Sequence, residues 1–260
     1  MHLILTGATG LVGSAVLDAM LRAKDVSKIS IVSRRPVRMA EERADPRVDV
    51  VLHRDFASWD AALLERLRGA DGCVWALGIS QTKVGADEYV RITRDYALAA
   101  ARAMAGLRSP SPDSPAPPSD SSGSGTPFRF VYVSGEGATQ TPGRFSAIFA
   151  RTKGETETAL GDGLAGTYSV RPAFVDAAAH AAIRPYIPDP GLIYGVGLAA
   201  LAPAIRCAAR GMHSPTEPLG DFLTQLAMGR MDGALDGQGA FRLGSSWVVE
   251  NAGFRRMMGL

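Results

Sequence analysis

Met1-His-Leu-Ile-Leu-Thr-Gly-Ala-Thr-Gly-Leu-Val-Gly-Ser14 is the stretch whose reading decides the fold. Leu3, Ile4 and Leu5 form the short apolar run of a strand buried on both faces. Glycines follow at positions 7, 10 and 13, and Val12, Ala15, Val16, Ala19 and Met20 then repeat at helical spacing. A strand, a glycine turn and a helix in that order form a phosphate-binding corner. Gly7 allows the tight turn, Gly10 lets the backbone approach a pyrophosphate, and Gly13 lets helix and strand pack closely. The unpaired N–H groups of the helix start then face an anion. The spacing is Gly-x-x-Gly-x-x-Gly, one residue longer in its first interval than the standard dinucleotide fingerprint.

Outward from this corner, apolar runs and helical patterns alternate. Ile29–Val32, Val48–His53, Gly72–Leu77, Phe128–Val133 and Thr167–Val170 read as strands. Helices are expected from about Trp59 to Leu67, through Asp95-Tyr96 to about Leu107, from about Ser146 to Leu160, over Glu217 to Met228 and over Ser245 to Met258. Phe241–Leu243 reads as a short strand. Six strands alternating with helices predict an α/β fold: a Rossmann-type doubly wound parallel sheet in the order 3-2-1-4-5-6. The 260 residues suit one domain spanning 1–260. Residues 173–260 would form a small C-terminal substrate-pocket region.

Residues 109–127 interrupt the pattern with Pro, Ser, Gly and Asp and no large apolar side chain. Such a segment cannot offset its ordering entropy and is expected to be a disordered inserted loop. Its Pro112-x-x-Pro115 and Pro115-x-x-Pro118 spacings fit proline-binding modules, but such short motifs arise often by chance and a tolerated insertion is the better reading. Gly191 to Ile205 carries no charge, yet it is too short to span a bilayer and contains Pro203.

The chain is 46% hydrophobic and 21% charged, as in globular proteins. A net charge of +2 argues against a nucleic-acid partner. Cys73 and Cys207 form no metal pattern and suit a reducing compartment, and the four histidines make no ligand cluster, so no metal is expected. With a strand beginning at residue 3, no secretory leader is expected, and a cytoplasmic location follows.

The second strand ends at Ser33-Arg34-Arg35, about twenty residues past Gly13. An acid there would hold the ribose of NAD; arginines match the 2′-phosphate of NADP. NADP (as NADPH) is therefore the expected cofactor, with NAD second.

Thr6-Gly7-Ala8-Thr9-Gly10-Leu11-Val12-Gly13 resembles the cofactor loop of extended and atypical short-chain dehydrogenases/reductases. Ala76-Leu77-Gly78, with Asp95-Tyr96 downstream, resembles the Tat-interactive oxidoreductase-like subgroup and its fungal mitochondrial relatives. The resemblance adds Asp55 and Phe56 as adenine contacts, although Asp55 could equally cap a helix. Ala76, Leu77, Gly78 and the strand exit Arg171-Pro172 join the cofactor set. The fungal relatives keep peripheral attachment to the outer mitochondrial surface open, and family habit suggests a homodimer.

The same resemblance implies a Ser, Tyr and Lys site in which Tyr exchanges the proton and Lys holds the ribose. The Ser position falls on Ser134 and the Lys position on Lys153, but the Tyr position is Phe149. The surrounding Gly154-Glu155-x-Glu157 fits the subgroup, so the register stands. Phenylalanine keeps the ring and loses the proton. Tyr89, Tyr96 and Tyr132 are the candidates for a displaced hydroxyl. Two functions follow: a weak or atypical NADP-dependent oxidoreductase on a small carbonyl or hydroxyl substrate, or a catalytically impaired NADPH-binding regulator with a protein partner.

Overall fold

The computed structural model describes residues 1–107, 128–189, 202–203, 205–206 and 208–260. Within them, β1 (His2–Thr6), β2 (Lys28–Ser33), β3 (Val48–Leu52), β4 (Gly72–Trp75), β5 (Arg129–Val133) and β6 (Thr167–Arg171) stand in the expected order. The sheet runs β3-β2-β1-β4-β5-β6 and continues into β10 (Ser246–Glu250) and β9 (Ala240–Leu243). All neighbours pair in parallel except β9 with β10. A separate two-stranded parallel ribbon joins β7 (Phe174–Asp176) to β8 (His213–Pro215).

The helices are α1 (Leu11–Arg22), α2 (Arg38–Arg43), α3 (Ala61–Leu67), α4 (Ala86–Val90), α5 (Tyr96–Met104), α6 (Ile148–Gly161), α7 (Thr216–Ala227) and α8 (Asn251–Met258). A π-helical turn, Arg91–Asp95, links α4 to α5.

Strict alternation along β1 explains the layering. Leu3 and Leu5 join one apolar core with Val16 of α1, and with Leu219, Phe222 and Leu226 of α7. Ile4 joins the other core with Cys73, Trp75, Ala97, Met104 and Phe130. Burial on both faces is what a central parallel strand requires. Burial pushes the Cys73 thiol up, away from reactivity.

Two expectations need correction. Ser245–Met258 is not one helix: Ser246–Glu250 is a strand that pairs with β6, and the helix starts only at Asn251. The Ser-Trp-Val-Val-Glu run has no period long enough to separate strand from helix, and the open edge of β6 decides it. Asp55 does not cap a helix either. Asp60 caps α3 by accepting the Leu63 N–H at 2.8 Å, while Asp55 braces the turn before it by accepting the Ala57 N–H. Residues 109–127, Cys207 and most of Gly191–Ile205 lie outside the described residues. Among the described residues no helix is long and apolar enough to cross a membrane.

One strand residue makes the fold pH-sensitive. His2 is buried, with Nε2 2.8 Å from Ser30 Oγ. Burial and then Lys28 push its imidazole down to about 4. The unfolded chain therefore takes up a proton at His2 before the folded one does. This contribution is fully present above pH ~6.5 and is lost as pH falls towards ~4, about 3 kcal/mol in all. Urea midpoints measured across that window will fall, and His2→Gln will flatten that part of the slope.

Candidate cofactor and active site

The glycine corner is built around close backbone approaches. Gly7 sits at φ +72°, and a Cβ there would lie 2.3 Å from Ala76 O. A Cβ on Gly13 would lie 2.0 Å from Gly7 O, so helix and loop touch through backbone alone. Ser14 Oγ donates to Gly10 O at 2.8 Å and braces the turn. Helix α1 begins at Leu11, after Gly10 as its N-cap, without a side-chain cap and without an acid in its first turn. Its leading N–H groups remain available to an anion.

Two cavities open along the carboxyl ends of the strands. The larger, about 700 Å³, draws Gly10, Leu11 and Val12 from the corner, Ala76, Leu77 and Gly78 from the exit of β4, and Pro172 from the exit of β6. Ser134, Phe149 and Lys153 line it too. The smaller, about 360 Å³, gathers Gly7, Thr9, Ser33, Arg34, Arg35 and Leu77. Arg35 reaches Thr9 Oγ1 at 3.5 Å, and Arg34 has no acidic partner among the described residues. Leu77 lines both cavities, which makes them neighbours.

Five expected cofactor residues, Thr6, Gly13, Asp55, Phe56 and Arg171, line neither cavity. Thr6 is buried with its hydroxyl unpartnered, and Gly13 lies behind the loop it packs against. Phe56 is 1% exposed and packs among Trp59, Trp75, Tyr96 and His53. Its ring is core, with no open face for a base. Asp55 remains on an exposed turn beside it.

Arg171 is likewise absent from the cavity walls. It is engaged in a buried ion pair with Glu157, Nε donating to Oε1 at 2.9 Å. Ser134 Oγ also donates to Glu157 Oε1, at 2.6 Å, and Gln140 Nε2 donates to Oε2 at 2.6 Å. Glu157 is fully buried, and three side chains converge on it. The sequence showed Glu157 only as part of a matching helix; nothing in its spacing announced a carboxylate behind the site.

Lys153 and Phe149 stand one turn apart on α6 and face the same cavity. Lys153 Nζ donates to Ser134 O at 2.5 Å and Val133 O at 3.3 Å. Burial pushes its ammonium down to about 8 against the opposing pull of Glu157. The Phe149 N–H donates to Gln81 Oε1 at 3.1 Å, a contact from the loop after β4 that the sequence did not announce.

Of the three tyrosines proposed to replace the missing hydroxyl, Tyr132 alone lines this cavity. Its hydroxyl is buried and donates to Thr93 O at 3.3 Å, a carbonyl of the π-turn, and burial raises its pKa. Tyr89 is buried and Tyr96 packs on Phe56. Such π-turns recur at functional sites, and this one places Thr93 in the cavity wall.

Beyond β7 a third cavity of about 600 Å³ shares Leu11, Phe174 and Val175 with the first. Asp176 on its wall resists the burial that would raise its pKa. Arg206 at 2.6 Å, the Ala178 N–H and His213 at 3.0 Å hold it at about 2. Among the described residues beyond Pro172, Ala173, Phe174, Val175 and Met212 line the large cavity.

No protein-family model matches the chain. It is 43% identical over 169 residues to Botcinic acid biosynthesis cluster B protein 16 of Botryotinia fuckeliana, covering 63% of this chain and 99% of that protein. It is 32% identical over 207 residues to Leucinostatins biosynthesis cluster protein T of Purpureocillium lilacinum, covering 72% and 70%. Protein HTATIP2 of Rattus norvegicus is 34% identical over 101 residues, covering 38% and 40%. The reductase domain of PhqB from Penicillium fellutanum superposes with a TM-score of 0.61 at 16% identity, covering 96% of this chain and 66% of that one. A short-chain dehydrogenase/reductase family oxidoreductase from Burkholderia thailandensis superposes at 0.58 with 13% identity, covering 96% and 95%. Glycine corner and strand order agree with these structures: the chain has the Rossmann-type fold of the short-chain dehydrogenases/reductases and belongs to one family with the two biosynthesis cluster proteins.

Proposed function

We propose that this protein binds NADP(H) and acts as a weak or atypical oxidoreductase on a small carbonyl or hydroxyl compound. The observation that carries the reading is the joining of two cavities at Leu77, one ending at Arg34 and Arg35, the other at Lys153 and Phe149. The residues present fit a dinucleotide. Gly7 and Gly13 keep the corner free of Cβ atoms, α1 starts uncapped, and two guanidinium groups stand at the 2′-phosphate end. A bound nicotinamide supplies hydride chemistry. Leu77, Gly78 and Pro172 line the cavity that would take its nicotinamide end. Two relatives are named as biosynthesis cluster proteins, which favours a small metabolite as substrate.

A second reading, a cofactor-loaded regulator, rests on a different observation. Phe149 carries no proton, and the Ser134 hydroxyl donates inward to Glu157 rather than to the cavity.

Titration calorimetry tests the cofactor half. A hydrogen bond to a charged group is worth about 1.5–3 kcal/mol. Replacing Arg34 and Arg35 by Ala will therefore weaken NADPH at least about tenfold and leave NADH nearly unchanged. Equal losses for both cofactors would remove the assignment of the 2′-phosphate to these arginines.

A further inference from the structure

The loss of the tyrosine leaves a chemical gap: an alkoxide forming in this cavity needs a proton from somewhere. The described cavity wall offers few sources. Ser134 Oγ gives its proton to buried Glu157, and Tyr132 Oη gives its own to Thr93 O. Ser80 Oγ pairs with Thr82 Oγ1 at 2.9 Å, and Thr93 is 4% exposed. Glu136 is a carboxylate whose Oε2 accepts the Asn251 N–H.

Lys153 differs from all of these. An ammonium has three N–H donors. Two are engaged by Ser134 O and Val133 O, and the third has no partner among the described residues. Those two carbonyls tie the nitrogen to the end of β5, and a Cβ on Gly135 would lie only 3.5 Å from Nζ. The Phe149 ring stands one turn back, with Cζ 3.6 Å from where a Cβ on Gly137 would be. The nitrogen and the ring are thus laid along residues 135–137, on the same wall.

We propose that Lys153 is itself the proton donor to the substrate oxygen in this protein, in place of the absent tyrosine. The inference rests on the reductase reading above. In the step, a bound reduced nicotinamide would supply hydride to the carbonyl carbon and be oxidised in turn. The C=O π pair moves onto oxygen, and a C–O–H bond forms as the Nζ–H bond breaks. Lys153 is left as a neutral amine and recovers its proton from water. The lowered affinity of this nitrogen for its proton suits the task, since a general acid works best with a pKa near the operating pH. The charged and titratable groups around it are Glu157 on the same helix, Arg171 from β6, Tyr132 from β5 and Glu136 after β5. Arg171 neutralises Glu157 in their buried pair, leaving burial as the dominant influence on Lys153.

The experiment compares native protein, Lys153→Arg, Lys153→Met and Phe149→Tyr. NADPH oxidation is followed with hexanal, para-nitrobenzaldehyde and cyclohexanone across pH 6 to 10, and NADPH affinity is measured alongside. Competitive acetylation read by peptide mass spectrometry titrates Lys153 directly in the native protein. Only three other lysines, Lys24, Lys28 and Lys83, compete for label. The expected result is a native turnover that falls through a single ionisation near pH 8, matched by Lys153 labelling rising there. Arginine stays charged throughout, so Lys153→Arg should keep NADPH affinity and lose about 10²-fold or more in kcat; Lys153→Met should lose at least as much in kcat and weaken NADPH as well.

Variants as active as native protein, or labelling that rises only near the peptide value of ~10.4, overturn the proposal and leave the reductase reading standing. An inactive native protein with an active Phe149→Tyr does the same. If both bind NADPH and neither turns over, proposal and reductase reading fall together. If the Lys153 variants do not fold, the native pH profile and the labelling curve decide alone.

Discussion

Phe149→Tyr raises carbonyl reduction by up to about 10²–10⁴-fold, the usual worth of a positioned general acid, and leaves NADPH affinity unchanged. The ring is already in place on α6, one turn from Lys153. Gly137 lies beside the ring, where a Cβ would come 3.6 Å from Cζ and 3.7 Å from Cε2, so no side chain from residue 137 crowds that edge. The new hydroxyl stands beside a cation, which favours its ionised form and lowers its pKa. Lys153→Ala in the Phe149→Tyr background should remove the gain, because the charge that tunes the phenol goes with it. Steady-state NADPH oxidation by the three proteins checks this. A brisk native rate that the added hydroxyl does not raise would mean that another group, such as Lys153, already supplies the proton.

Glu157→Ala costs about 3–5 kcal/mol of folding stability, the usual loss when one partner of a buried ion pair is removed. Arg171 would be left charged, 6% exposed and without the carboxylate that both Nε and a terminal nitrogen address. Ser134 and Gln140 would lose an acceptor at the same time. Urea denaturation followed by circular dichroism measures the loss. Replacing both Glu157 and Arg171 by Met should recover most of it, because an apolar pair of similar volume needs no compensation for buried charge. A single-mutant loss below about 1 kcal/mol would show that the network contributes little. The same variant frees the Ser134 hydroxyl and removes the pull of Glu157 on Lys153, so a change in its turnover reports on both groups together.

The parts of the fold legible in the sequence are those fixed by short-range pattern. Leu3, Ile4 and Leu5 announced a doubly buried strand, and both cores now divide along that alternation. The glycine spacing announced the corner, because Gly7 and Gly13 are each forced by a backbone atom closer than a Cβ allows. What the sequence hid depends on contacts distant in the chain. Trp247, Val248 and Val249 become strand because Tyr168, Ser169 and Val170 offer an unpaired edge. Phe56 packs into the core through Trp59, Trp75 and Tyr96, from two other segments as well as its own. Arg171 was placed near the cofactor by its position at a strand exit, yet Glu157 claims its guanidinium. Ser134 and Lys153 were legible by resemblance, but the direction of the Ser134 proton was not; it is set by a carboxylate 23 residues away.

The most direct measurement is a crystal structure of the protein grown with NADPH. The dinucleotide should cross the uncapped start of α1, with its 2′-phosphate against Arg34 and Arg35. Its nicotinamide end should enter the cavity between Gly78, Pro172 and Lys153, beside the Phe149 ring. Clear density for NADPH elsewhere on the protein, or both cavities free of it at millimolar concentration, would contradict the assignment of this cleft as the cofactor site.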